Sequence, residues 1–253
     1  MKLELFLLMS SPFIGSFLGA VIERLPHGRD IISGRSTCDH CHKPLSWYEV
    51  IPILSFLIQK RRCKQCAAQL SSFYPIIEIA TILVTAICVL LVDNDIALIA
   101  SVFLGWLLLV LAWIDWRHFI LPNILTLPLI PVGLAVIWLL SPDDMLNHAV
   151  AAIVGYATLW LVAATYKAAR GRDGIGMGDA KLFAAAGAWV GLSGLISVLL
   201  VACLSALSYA LIMRLSGHQL KHDTPLSFGS FLCLGLFLTW LSGDFLFGSL
   251  MLL

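Results

Sequence analysis

Charge is what this sequence has least of. Of 253 residues, 16 are lysine or arginine and 15 are aspartate or glutamate, 12% in all, against about 25% in soluble domains. Hydrophobic residues make up 60%. So few charged groups cannot solvate the surface of a water-soluble domain, and the composition is that of an integral membrane protein whose surroundings include the lipid bilayer. The formal net charge of +1 supplies no basic field, so a nucleic-acid partner is not expected. There is no repeat at a fixed period, which excludes solenoids and propellers. No low-complexity tract is present, and no glycine-rich nucleotide fingerprint.

Apolar runs are what the sequence has in abundance. A bilayer core takes about 20 apolar residues per helix. Candidate spans are 2–22, 74–92, 96–114, 121–140, 147–168, 180–192, 194–213 and 227–251. The reading is therefore an all-α polytopic membrane protein with about eight transmembrane helices. The sixth span is short and is expected to continue past Gly191 or to tilt. The first run carries Glu4, continues to Ile22 and meets no small-residue cleavage site, so it reads as a retained span rather than a signal peptide.

One connection is long. Residues 23–73 hold eight of the sixteen basic side chains, from Arg24 to Lys64. Apart from Lys2, the remaining basic residues cluster after the third, fifth and seventh spans, and "DND", "SPDDMLNH" and "GLSG" carry none. By the positive-inside rule, both termini lie outside and the long connection faces the cytoplasm. The chain thus divides into a first span (1–22), a small cytoplasmic domain (23–73) and a membrane domain (74–253).

The cytoplasmic domain contains "CDHC" at 38–41 and "CKQC" at 63–66. Two C-x-x-C knuckles can place four thiolates, from Cys38, Cys41, Cys63 and Cys66, around one tetrahedral zinc with no open coordination position. A domain of roughly fifty residues with little apolar content needs such a staple. The alternative is two disulfides, which a reducing cytoplasm disfavours. His40 and His42 read as solvated, and Cys88, Cys203 and Cys233 as small hydrophobes within apolar runs.

Two acids stand at membrane edges on the face that carries this domain. Asp115 ends "FLGWLLLVLAWID", and Asp179 follows three glycines in "GIGMGD". Two carboxyls held close keep one proton between them, so one can take a proton from water while the other donates to a carbonyl oxygen. That is general acid–base hydrolysis of an amide without a covalent intermediate. Other readings stay open from the residues alone. Asp179 can be a helix cap, Asp115 can pair with Arg117 or Lys181, and Glu4, Glu78 and Asp244 are further intramembrane acids. A proton-coupled transporter with the two aspartates as a relay competes with a hydrolase, and a membrane anchor with a partner-recruiting zinc ribbon is a third reading.

The motifs resemble one family, the bacterial type IV prepilin peptidases, membrane aspartic proteases of the GxGD kind. The resemblance lies in "GSFLGAVIERLP" (15–26), "CDHCHKPLSWYEVIPILSF" (38–56), "RRCKQCAAQLSSFYPIIEIAT" (61–81), "WIDWRHFILPN" (113–123), "GMGDAKLFAAAGAWVG" (176–191) and "FGSFLCLG" (228–235). It implies that Asp115 and Asp179 are the catalytic pair. It also implies cleavage of the basic leader of type IV prepilins or type II secretion pseudopilins at the cytoplasmic face of the bacterial inner membrane. Methylation of the new N-terminus from S-adenosylmethionine is expected, with its binding residues unassigned. Two positions depart from the family pattern: Gly19 stands where asparagine is usual, and Ser230 where proline is usual.

Overall fold

A backbone amide finds no hydrogen-bond partner in hydrocarbon, so an apolar chain of this kind must satisfy its own main chain by forming helices. The computed structural model describes residues 2–31, 41, 43, 51–58, 62–64, 66–69, 71–171, 174, 176–217 and 226–242. These residues form helices α1 (Lys2–Arg24), α2 (Leu54–Ile58), α3 (Phe73–Leu91), α4 (Asp95–His118), α5 (Asn123–Leu140), α6 (Met145–Arg170), α7 (Met177–Leu215) and α8 (Phe228–Ser242). Among the described residues the only β-pairing is an isolated bridge between Arg62 and Gln69. Six helices, all but α2 and α8, are long and apolar enough to cross a membrane. The protein is a multi-pass membrane protein. Residues 243–251 of the expected last span, together with Cys38, His40, His42 and Asp244, lie outside the described residues.

The chain forms two compact units, Met1–Leu91 and Val92–Leu253. The sequence division grouped the second span with the helices after it. In the structure that span, α3, packs on α1 inside the first unit. Small residues on α1 allow the close approach. A methyl group on Gly15 would lie 2.8 Å from the Glu78 α-carbon, and one on Gly19 would lie 2.8 Å from the Tyr74 ring. The asparagine expected at position 19 would have to displace that ring. Pro12 removes the amide that would bond to the Leu8 carbonyl, and the Ser11 hydroxyl donates to that carbonyl at 2.8 Å in its place.

The second unit is held by an antiparallel set of contacts. Gly155 of α6 lies under the Phe183 carbonyl of α7, and Gly187 of α7 under the Ala151 carbonyl of α6. The long element α7 is two arms. Gly191 breaks it with φ 71° and ψ −175°. The chain reverses there, because Phe183 before the break and Leu195 after it both touch the same spot beside Gly155. The sequence placed its sixth and seventh spans on either side of this point. The structure lengthens the sixth at its other end, to Met177, and stops its helix at Gly191. From Met177 to Val190 the first arm is roughly 21 Å long at about 1.5 Å per residue, well under the ~30 Å hydrocarbon core.

A chain of contacts through four helices holds the first arm in place. The Trp189 indole N–H donates to the Leu129 carbonyl of α5 at 2.9 Å. Its ring meets Trp240 of α8 edge-on at 5.1 Å. The Trp240 N–H donates in turn to the Ser101 hydroxyl of α4 at 2.8 Å. The indoles of Trp189 and Trp240 thus each find the partner that a buried N–H requires. This end of the bundle is fixed by that chain, and the opposite end carries the acids.

Candidate active site

Asp115 lies in the last turn of α4. Phe119 ends that helix in the left-handed conformation (φ 55°), with its amide bonded to the Asp115 carbonyl. Asp179 lies in the first turn of the first arm of α7. The residue that caps this arm is Gly176, which offers no side-chain cap. Asp179 is therefore not the N-cap residue that one reading of the sequence allowed, although its carboxyl reaches back to the Gly176 backbone as an acid of the first turn does. Both aspartates are buried, at 5% and 9% exposure.

Gly229 of α8 brings the two together. A methyl group at its α-carbon would lie 2.9 Å from Asp179 Oδ1 and 3.0 Å from Asp115 Oδ2. Two oxygens that close to a common point are at most 5.9 Å apart, so both carboxyls face one small space beside Gly229. The next residue, Ser230, donates its backbone N–H to Asp115 Oδ2 at 2.7 Å. Its hydroxyl lies 3.1 Å from the same oxygen and 2.8 Å from the Ala112 carbonyl. Leu121, in the short connection after α4, packs against both Gly178 and Gly229.

The basic residues proposed as partners for Asp115 have contacts of their own. The Lys181 ammonium donates to the Asn123 side-chain oxygen at 2.8 Å, and the Arg117 guanidinium sits over the Trp113 ring at 5.9 Å. Glu78 belongs to the first unit, where its carboxylate accepts the Ile53 amide at 2.8 Å. That bond holds a residue with a left-handed backbone (φ 61°). Gly229 and Ser230 received no role from the sequence. The signal for them was a glycine and a small polar residue opening an apolar helix, which periodicity alone does not single out.

Of the four expected zinc ligands, Cys41, Cys63 and Cys66 have sulfurs within 4.8 Å of one another. The second knuckle is a tight turn. The Cys63 amide bonds to the Ala68 carbonyl at 2.9 Å, the Ala67 amide to the Cys63 carbonyl at 2.9 Å, and Ala67 is left-handed (φ 57°). Three converging thiols are a donor set that suits zinc, whose sulfur bonds are about 2.3 Å.

Comparison with known proteins identifies the family. Residues 9–92 match the bacterial peptidase A24 N-terminal domain, and residues 102–211 match the type IV leader peptidase family. A prepilin leader peptidase/N-methyltransferase of Aeromonas hydrophila is 34% identical over 260 residues, 92% of this chain and 89% of the relative. One from Klebsiella pneumoniae is 36% identical over 203 residues, 78% and 89% of the two chains. One from Dickeya chrysanthemi is 34% identical over 266 residues, 94% of each. No solved structure matches the chain. With both halves covered by the two domains of one family, and with relatives aligned over nearly their full length, the chain belongs to the type IV leader peptidase family.

Proposed function

We propose that this protein removes the leader peptide from type IV prepilins or type II secretion pseudopilins, with Asp115 and Asp179 as an aspartyl dyad, and then methylates the new N-terminal amine. The observation that carries the reading is the approach of two buried carboxyls around Gly229, with oxygens at most 5.9 Å apart. Like charges at that separation in a buried site cannot both persist, so the pair holds one proton. A water between them gives a proton to the ionised carboxylate as its oxygen bonds to the scissile carbonyl carbon. The protonated partner donates to the carbonyl oxygen. When the tetrahedral species collapses, the C–N bond breaks and the leaving amine takes a proton from the dyad. Burial of both acids strengthens each of these interactions by excluding water.

The bacterial inner membrane is the proposed location, with the dyad on the cytoplasmic side. Support comes from the distribution of lysine and arginine along the chain and from the place of both aspartates at helix ends, Asp115 in the last turn of α4 and Asp179 in the first turn of α7. In the first unit, Cys41, Cys63 and Cys66, with Cys38 as the fourth ligand, would hold a structural zinc that fixes the loop and takes no part in proteolysis. S-adenosylmethionine is the methyl donor that the relatives' name implies. The described residues form no strand, glycine-rich turn and helix of the usual nucleotide-binding kind, so no binding residues are assigned to it. The transporter reading loses its support, because the relatives carry the name of a peptidase.

The test is incubation of a prepilin with membranes containing the full chain, followed by mass spectrometry of the product's N-terminus. Cleavage behind the basic leader and a mass increase of one methyl group are expected. Asp115→Ala and Asp179→Ala should each stop cleavage in a protein that remains inserted. Normal processing by either variant would overturn the dyad.

A further inference from the structure

We infer that Ser230 is a positioning residue for Asp115, with a hydroxyl that serves the carboxyl group in both its ionised and its protonated state. The inference rests on the dyad reading above and deepens it. It comes from three contacts at one residue: the N–H to Asp115 Oδ2 at 2.7 Å, and the hydroxyl oxygen 3.1 Å from that same Oδ2 and 2.8 Å from the Ala112 carbonyl.

A serine hydroxyl has one hydrogen and two lone pairs, while two acceptors lie within its range. When Asp115 is ionised, Oδ2 accepts both the N–H and the O–H of Ser230. When Oδ2 carries a proton, the direction reverses. The carboxylic acid donates to the Ser230 oxygen, and the serine's own hydrogen turns to the Ala112 carbonyl. Ser230 keeps its proton throughout and only rotates about its Cβ–Oγ bond. Neither state leaves a buried donor unsatisfied, a condition that otherwise costs stability of the state concerned. The N–H contribution comes without loss to α8, since Ser230 is the third residue of that helix and its amide has no intrahelical acceptor.

A dyad carboxyl that takes a proton from water must return it within the same turnover. A fixed donor would favour the ionised state alone, and a fixed acceptor the protonated one. The rotating hydroxyl holds the carboxyl in one orientation through both. Its effect therefore falls on the chemical step rather than on substrate binding.

The experiment uses the full-length protein in detergent or vesicles with a prepilin substrate, and measures kcat and KM separately. Ser230→Ala keeps the N–H but removes the hydroxyl. A fall in kcat of about tenfold with KM within about twofold is expected. Ser230→Thr retains both groups and should restore kcat to near the parent value. Ser230→Cys, closer to serine in volume but a weak donor, should resemble Ser230→Ala, which guards against a packing effect. An undiminished kcat in Ser230→Ala, or a Ser230→Thr variant as slow as Ser230→Ala, would overturn the role of Ser230. Asp115→Ala and Asp179→Ala are run alongside. If these two still cleave, the dyad reading itself fails. If they are inactive while Ser230→Ala is unchanged, only the inference about Ser230 fails.

Discussion

Asp115 and Gly229 lie so close that a methyl group on the glycine would sit 3.0 Å from the carboxylate oxygen, and the same methyl would press on Asp179 from 2.9 Å. The absence of a side chain at this one position lets α8 close over the pair, with both acids facing the same small space. Gly229→Ala should therefore spread the carboxyls rather than unfold the protein, because alanine suits a helix better than glycine. A misplacement of this order costs about a hundredfold in rate. Cleavage kinetics on a prepilin substrate, read beside helix content by circular dichroism, check this. An alanine variant with parent kcat would show that the carboxyls have room to spare.

The two glycines of the GxGD stretch should behave differently. A methyl group on Gly178 would meet the Leu121 β-carbon at 2.9 Å, an atom that rotamer changes cannot move. A methyl group on Gly176 would meet Asp179 Oδ2 at an ordinary 3.6 Å and the Gly178 nitrogen at 4.0 Å, and Gly176 has unstrained extended backbone (φ −71°, ψ 141°). Gly178→Ala should push the first arm of α7 away from Leu121 and lower activity at least tenfold, whereas Gly176→Ala should stay within about threefold of the parent. Measured rates in the reverse order would contradict the close contact at Leu121.

The contrast between these glycines shows how far the sequence could be read. Composition and apolar run length revealed the helices, because a span must satisfy its own backbone and the required length is set by the bilayer. Asp115 and Asp179 stood out because acids at the ends of apolar runs are costly and rare. Their meeting did not follow from spacing. It depends on α8 inserting Gly229 between residues that are far apart in sequence, and a glycine in an apolar helix looks the same whether it faces lipid or a carboxylate. The expected continuation past Gly191 shows the same limit. A glycine between two apolar runs is consistent with one bent helix or with two, and only the contacts of Phe183 and Leu195 with Gly155 separate them. The family resemblance supplied the pairing that residue physics left open.

Gly191 is the position where backbone conformation alone should set stability. Its φ of 71° with ψ of −175° belongs to a region that essentially only glycine occupies. A β-carbon would also lie 3.0 Å from the Asn147 side-chain nitrogen. Around it, His148 contacts the Ala188 carbonyl at 3.1 Å through Nδ1, and Asn147 accepts the Leu192 amide at 3.4 Å. These bonds from α6 serve backbone groups that the reversal deprives of helical partners. Gly191→Ala should destabilise the protein by about 1–3 kcal/mol, seen as a lower thermal midpoint in detergent. The dyad at the other end of the arm should retain its activity at permissive temperature. An unchanged midpoint would mean that the turn tolerates a side chain.

The thiols of the first unit lead to a prediction separable from proteolysis. Cys41, Cys63 and Cys66 converge within 4.8 Å, and Cys63 is buried at 3% exposure. A thiol cluster without a cation would gain nothing from this convergence, whereas zinc binding turns it into folding energy for a loop with little apolar core. The purified protein should contain about one zinc per chain, and Cys63→Ser, which removes the most buried of the three sulfurs, should lose it. Loss of the metal should make the 23–73 connection sensitive to limited proteolysis. The helices of the second unit, which are packed through Trp189, Trp240 and Ser101, should stay folded. Elemental analysis together with the protease digestion pattern checks both halves of this expectation. A wild-type protein that is free of metal and still resists the protease would remove zinc from the account and leave the thiols as packing alone.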